Sequence, residues 1–297
     1  MFYHLKNSLQ RAAFDWRVRA LSGTPPITLN PQGLSVLSQL QHKDVLMYLA
    51  AIKSFACRVP VAQVYVLNDG SLNSSDKATL TEHVPGVEIL ELLAFQAEGL
   101  PKGGTWERLI AIARLSETRY MVQLDADTLT LSEAPEVIQA WRNNQSFTIG
   151  TWDRQTLEDA RDRATEARPL LSKGNSHVQV LSEAHLDELG GVELLHYVRG
   201  CSGFAGFAPS QDKLQFMQLI SQQMEKLIHA KWHEWGSEQV MSNLVVANQP
   251  NANVLPHPTY ADCQKMRPPE TRFVHFIGPC RFRGGQYANL IRQSLLS

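Results

Sequence analysis

Asp125 and Asp127 stand two positions apart at the end of the apolar run Tyr120-Met121-Val122-Gln123-Leu124. Two carboxylates at that spacing, just past a buried strand, can both reach one hard divalent cation. Such a cation prefers oxygen ligands and can bridge to a diphosphate. The plainer reading makes one Asp a cap on the following segment and leaves the other exposed. The context, a fourth strand-like run ending in the pair, favours metal or diphosphate binding.

The surrounding pattern supplies the elements that position this pair. Leu34 to Leu40, Val64 to Leu67, Val87 to Leu93 and Tyr120 to Leu124 read as strands. Between them, His42 to Cys57, about Ser75 to His83 and Trp106 to Leu115 read as helices, the first with Val45, Leu49, Ile52 and Ala56 on one apolar face. Alternation of this kind predicts an α/β fold, a mostly parallel central sheet flanked by helices. Ligands of such sheets sit outside the carboxyl ends of the strands. Asp69 and the Asp125/Asp127 pair both fall there. Residues 153–193 are charged, poor in strand signal and consistent with an insertion or a lid. Thr24-Pro25-Pro26 and Asn30-Pro31 close off an N-terminal extension, 1–30, from a main domain, 31–297.

The segment around Asp125-Ala126-Asp127 resembles the D-x-D motif of GT-A glycosyltransferases, whose fold is the α/β arrangement just described. His275-Phe276-Ile277-Gly278-Pro279-Cys280-Arg281 is similar to the H-x-x-G-x-x-K motif of the glycogenin and galactosyltransferase-like family 8, with Arg281 in place of Lys. The resemblance implies that His275 completes the protein ligands of the metal, and that Gly278 and Arg281 serve the donor diphosphate. Both roles suit the residues, since neutral imidazole binds divalent metals and a guanidinium grips phosphate oxygens in pairs. Glu238-Gln239-Val240-Met241-Ser242-Asn243 looks like the family's D-Q-D-x-x-N stretch, with Glu for the first Asp and Val240 for the second. The family's glutamine places Gln239 near the transfer centre. The change at Val240 also leaves Glu238 as a candidate general base, so inversion and retention both stay open.

Asp69-Gly70-Ser71 resembles the strand-end D-D-G-S of inverting family 2 enzymes, where the carboxylate contacts the nucleotide base; as a turn signal it is commonplace. Arg108, on the helix before the D-x-D strand, is a candidate phosphate contact or a plain surface residue. Trp232 and Trp235, with Trp152 and Asp153, are candidates for an acceptor sugar, since aromatic faces give area and orientation in polar-ligand sites. Each is equally readable as packing. Ser202-Gly203-Phe204 resembles the small-residue strand on the acceptor side of GT-A folds.

The function this predicts is metal-dependent transfer of a sugar from a nucleotide-diphosphate sugar, with Mn2+ or Mg2+ as cofactor and a UDP-sugar as default donor. The acceptor, a glycan, a lipid or a protein, is left open. The alternatives are a nucleotidyltransferase on a related fold, a haloacid-dehalogenase-type phosphatase suggested by D-x-D, and a non-catalytic GT-A-like scaffold. A net charge of −1 with mixed signs gives no basis for nucleic-acid binding. The four dispersed cysteines, Cys57, Cys201, Cys263 and Cys280, read as reduced thiols of a cytoplasmic protein. No apolar stretch approaches the roughly 20 residues of a membrane span. Met1 to Leu21 is amphipathic and basic: Phe2, Leu5, Leu9, Ala12, Trp16 and Ala20 can share a stripe, beside Lys6, Arg11, Arg17 and Arg19. A helix packed on the domain or on a second copy is the plainer expectation, and a peripheral membrane contact the sharper one.

Overall fold

A computed structural model of the chain describes residues 2–191 and 194–296, with residues 2–7 described by backbone alone. Along the chain, α1 (Phe2–Val18) precedes β1 (Leu34–Leu40), α2 (Val45–Ala56), β2 (Val61–Asn68), α3 (Ser74–His83) and β3 (Glu88–Glu91). Next come α4 (Trp106–Leu115), β4 (Met121–Leu124), β5 (Thr128–Thr130), α5 (Pro135–Arg142) and β6 (Phe147–Ile149). The stretch without clear strand signal holds β7 (Glu158–Asp159), α6 (Ala160–Ser172), α7 (Val178–Glu183), β8 (His196–Tyr197) and then β9 (Cys201–Phe207). The chain closes with α8 (Lys213–Ile228), α9 (Ser237–Ala247), β10 (Asn253–Leu255), β11 (Tyr260–Asp262), β12 (Phe273–His275) and α10 (Gln286–Leu295). The α/β expectation is met, with a mostly parallel sheet flanked by helices.

The chain forms two compact units, the first made of Met1–Glu91, Val122–Ile138 and His257–Ser297, the second of Leu92–Met121 and Gln139–Pro256. In the first, β1 pairs in parallel with β2, and β2 with β3. Ser38 of β1 donates to Leu124 O at the end of β4 (2.6 Å), and Asp69 N, just past β2, donates to Leu40 O (3.3 Å). Those two bonds bring the carboxyl ends of β4, β1 and β2 to one edge. A smaller sheet stands beside them, β12 pairing in parallel with β11 and antiparallel with β5, with His275 opposite Thr128. The sequence spacing gives α2 one apolar face, but Met47, Tyr48, Ala50 and Ala51 are buried as well as Val45, Leu49 and Ile52. A helix apolar nearly all round must be covered nearly all round. Ser54 of α2 accepts from Thr130 N at 3.1 Å and so ties it to β5.

α1 belongs to the first unit, and among its described side chains Phe14 and Val18 are buried, followed by Leu21 in the next turn. The stripe read from the sequence is not the packed one: Leu9, Ala12, Trp16 and Ala20 are exposed. The side chains of Phe2, Leu5 and Lys6 lie outside the described residues. In the second unit β10 pairs in parallel with β6, and β6 antiparallel with β9. Gly206 of β9 lies where an added Cβ would sit 2.3 Å from the Phe147 ring, so the close strand approach there requires glycine.

Candidate metal centre

The Asp125-Ala126-Asp127 turn is held by backbone and side-chain bonds from four directions. Thr128 Oγ1 donates to Asp125 O (2.8 Å), Phe276 N to Asp127 O (2.8 Å), and Tyr287 Oη to Thr128 O (3.1 Å), while Ser38 fixes Leu124 just ahead. The β5–β12 pairing then carries His275 over the turn. His275 Nε2 lies 3.1 Å from Asp127 Oδ1 and 3.8 Å from Asp125 Oδ2. One ligand atom from each of the three residues falls within 4.8 Å of the others. Asp127 and His275 are 3% and 5% exposed, and Asp125 is half-buried. Two carboxylate oxygens and an imidazole nitrogen at this separation suit a divalent cation that keeps part of its coordination for other oxygens.

Arg281 reaches the same carboxylate from the short helical turn Gly278–Arg281, its Nε donating to Asp127 Oδ2 at 2.5 Å. Burial alone would raise the Asp127 pKa, but the charge and hydrogen bonds of His275 and Arg281 outweigh it and hold the carboxyl at about 2. Gly278 turns the chain out of β12 with φ +52 and nothing within 4 Å of an added Cβ, so the position selects glycine for its backbone and not for space.

A disulfide braces this turn. Cys263 and Cys280 are bonded, with Cα atoms 6.3 Å apart, and Cys57 and Cys201 take no part in a disulfide. The reading of four reduced thiols is therefore corrected for two of them. The pairing arises because β11 runs beside β12, placing Cys263 N against His275 O at 3.0 Å, and the turn after β12 brings Cys280 back. A separation of 17 residues with no local motif carries no sign of that in the sequence.

Asp69 lies in the first unit at the edge described above. Its carboxylate accepts from Ser71 N (2.9 Å) and Ser71 Oγ (2.6 Å), and Ser71 Oγ in turn accepts from His42 N (2.8 Å). The turn role is thus filled, and Gly70 at φ +96 completes it.

Arg108 and Glu238 lie in the second unit. Arg108, on α4, is 5% exposed, and Glu238, in the first turn of α9, is 2% exposed. They form an ion pair at 3.3 Å, and Glu238 Oε2 also accepts from Thr105 Oγ1 (2.9 Å) and Ser202 Oγ (3.4 Å). Arg108 is therefore not a surface helix residue. No sequence motif marks Thr105. It ends a run of three left-handed residues, Gly103 (φ +77), Gly104 (φ +55) and Thr105 (φ +79), and for a β-branched residue that conformation is strained. The Gly103-Gly104 pair immediately ahead of a helix was the available signal.

Gln239 is half-buried on α9, and Asn243, one turn on, is buried and donates from Nδ2 to Gly200 O at 3.2 Å. Trp232, expected on the acceptor side, is instead core: it is fully buried, edge-on to Trp106, with Nε1 donating to Ser221 Oγ at 3.0 Å. Its spacing ahead of Glu238 could not distinguish a stacking platform from a packing residue. Trp235 is exposed, as are Trp152 and Asp153.

No family model matches the sequence, and neither does any curated protein. Solved structures do match. Mouse xyloside xylosyltransferase 1, in its apo form, aligns with a TM-score of 0.51 at 10% identity, over 84% of this chain and 98% of that one. An active-site mutant of LgtC that replaces Gln by Glu aligns with a TM-score of 0.51 at 10% identity, over 89% of this chain and 97% of that one. The fold is that of GT-A glycosyltransferases. At this identity the likeness speaks for the fold alone.

Proposed function

We propose that this chain transfers a sugar from a nucleotide-diphosphate sugar to an acceptor hydroxyl, using a divalent metal ion held by Asp125, Asp127 and His275. The observation that carries the reading is the convergence of these three side chains on one point with Arg281 beside them, although Asp127 and His275 are 148 residues apart in the chain. A bound Mn2+ or Mg2+ would supply Lewis acidity, neutralising charge that grows on the leaving nucleoside diphosphate.

The chain's own residues do the rest. Asp127, held as carboxylate, presents negative charge to the cation at every physiological pH. The Arg281 side chain is 40% exposed and has spare N–H groups for phosphate oxygens. Gly278 sets the turn from which Arg281 extends. Asp69 is the proposed contact to the nucleotide base, for which UDP is the default by resemblance. In the second unit, Arg108 fixes the Glu238 carboxylate, and Thr105 and Ser202 orient it. Glu238 and Gln239 are the residues proposed to act on the transferred sugar and the incoming hydroxyl, with Trp152, Asp153 and Trp235 on the acceptor side. If Glu238 takes the acceptor proton, the anomeric configuration inverts; a step that needs no base there leaves retention open.

Titration of UDP into the purified protein, with and without Mn2+, tests the reading. Metal-dependent binding that Asp127→Ala abolishes supports it. Absence of binding by UDP, GDP and dTDP alike would sink it. A nucleotidyltransferase, the nearest enzymatic alternative, would release pyrophosphate from a nucleoside triphosphate instead of hydrolysing a nucleotide-sugar slowly. A complete set of metal ligands favours a catalyst over a scaffold.

A further inference from the structure

α1 has two apolar faces, and the fold of its own unit covers one. Phe14 packs its ring 5.5 Å from Phe282 and 5.2 Å from Tyr287, centroid to centroid, and Val18 is buried on the same side. On the opposite side Leu9 and Trp16 are 63% and 65% exposed, with Ala12 and Ala13 exposed beside them. The spacing 9, 12, 13, 16 is that of a single helical face.

Charge flanks this face on both sides. Arg17 lies along one edge; Arg19 lies along the other, its guanidinium 4.4 Å over the Trp16 ring. The one acid of residues 1–21, Asp15, is paired with Arg11. α10 packs against α1, and residues 278–297, which carry it, contain Arg281, Arg283 and Arg292 and no acid. A cavity of about 340 Å3 opens between α1 and the turn ahead of α10, lined by Ala13, Phe14, Phe282, Gly285 and Ala288, with Arg17 at its wall.

We propose that this surface is an interfacial anchor that lies on a membrane of anionic phospholipid. The chemistry fits that occupant at three points. Exposed Leu and Trp on one helical face enter the boundary between headgroups and acyl chains, where Trp is at home. Arg19, stacked on Trp16, and Arg17, at the cavity wall, offer guanidinium groups to lipid phosphate while their stems cover apolar surface. The cavity offers apolar walls to an acyl chain and a guanidinium to its phosphate. A second copy fits worse, because two-fold pairing through this face would gather Arg17 and Arg19 of both copies around one helix pair, with Asp15 the one acid of residues 1–21 to offset them. The attachment is peripheral: among the described residues no helix is long and apolar enough to cross a membrane. This proposal is independent of the sugar-transfer reading, and either can fail alone.

Co-sedimentation with vesicles tests it, comparing pure phosphatidylcholine with phosphatidylcholine containing about one-third phosphatidylglycerol. The full-length chain is expected to pellet with the anionic vesicles, weakly or not at all with the neutral ones, and less as salt rises. Reversal of both flanking charges, Arg17→Glu with Arg19→Glu, is expected to lower partitioning by more than about 25-fold, at roughly fivefold for each cation removed. Trp16→Glu is expected to lower it at least about tenfold. All three positions are exposed, so far-UV circular dichroism and the melting temperature of the variants should match the parent. Quenching of tryptophan fluorescence by brominated lipid, lost in Trp16→Phe, would locate the contact at the helix. The proposal is overturned if the parent stays in the supernatant with anionic vesicles, or if the variants pellet as it does. It is equally overturned if sedimentation without lipid reveals a dimer that Trp16→Glu dissociates.

Discussion

Arg108 and Glu238, 130 residues apart in the chain, meet as a buried ion pair with 6% and 3% of their side chains exposed. An ion pair so placed is costly to break from one side, because the survivor is left charged and unpartnered by it. Arg108→Ala is expected to cost about 3–5 kcal/mol of unfolding free energy in urea. Glu238→Gln keeps the shape and the acceptor oxygen, so its midpoint should fall by much less, while transfer should fall at least a hundredfold if Glu238 acts at the reacting centre. Measuring denaturation and turnover on the same preparations separates a structural pair from a catalytic one.

Asp127 carries a prediction about acid. Its pKa, about 2 when folded, lies below the ordinary 3.8. A carboxyl depressed by folding contributes stability that is complete above its unfolded pKa and fades as pH falls through the folded one. The contribution should therefore be full above pH 4 and disappear towards pH 2, amounting to about 2 kcal/mol. In chelator-treated protein, urea denaturation at several pH values should show a steeper acid loss for the parent than for Asp127→Asn. Equal slopes would mean that His275 and Arg281 do not hold the carboxylate in the way the geometry implies.

Arg281 stands where the resembled family has lysine, and its side chain reaches the proposed metal ligand Asp127 directly. Arg281→Ala should weaken metal-dependent UDP binding by about tenfold or more, the scale of one charge-assisted contact. Arg281→Lys should recover part of that loss, since it restores the charge without the paired geometry. Uridine itself, lacking phosphates, should bind all three proteins alike. Calorimetry with the two ligands checks each of these.

The disulfide yields a count. Under denaturing conditions without reductant, thiol titration should find two thiols, those of Cys57 and Cys201, and four after reduction. Closing a loop of this size stabilises by roughly 3 kcal/mol in the chain-entropy description. Reduction should lower the melting temperature, and because Cys280 adjoins Arg281 it should also weaken UDP binding.

The cluster of Asp125, Asp127 and His275 is legible in the sequence because its parts are short motifs with local context: a strand ending in Asp125-Ala126-Asp127, and His275 three residues ahead of Gly278. The helices and strands around it were legible from periodicity, α4 and β1 among them. What periodicity could not convey is which of two faces is covered. In α1 the sequence stripe through Leu9 and Trp16 is the exposed one, and the packed one runs through Phe14 and Val18, because aromatic rings from Phe282 and Tyr287 wait on that side. Trp232 was misplaced for a related reason, since an aromatic beside a motif looks the same whether it faces ligand or core. The Cys263–Cys280 bond depends on two strands pairing, which no local pattern records.

The Tyr287 hydroxyl donates to the carbonyl of Thr128 (3.1 Å) and lies 3.4 Å from that of Ala126, bracketing a turn made some 160 residues earlier. During synthesis the aspartates therefore leave the ribosome long before the histidine, the arginine and the tyrosine that complete their surroundings. A ribosome stalled before His275 would present a chain with the acidic turn and no means of closing it. The proposed metal site is completed only in the last stretch of translation, and premature stop codons across residues 128–274 should all yield proteins with the same defect.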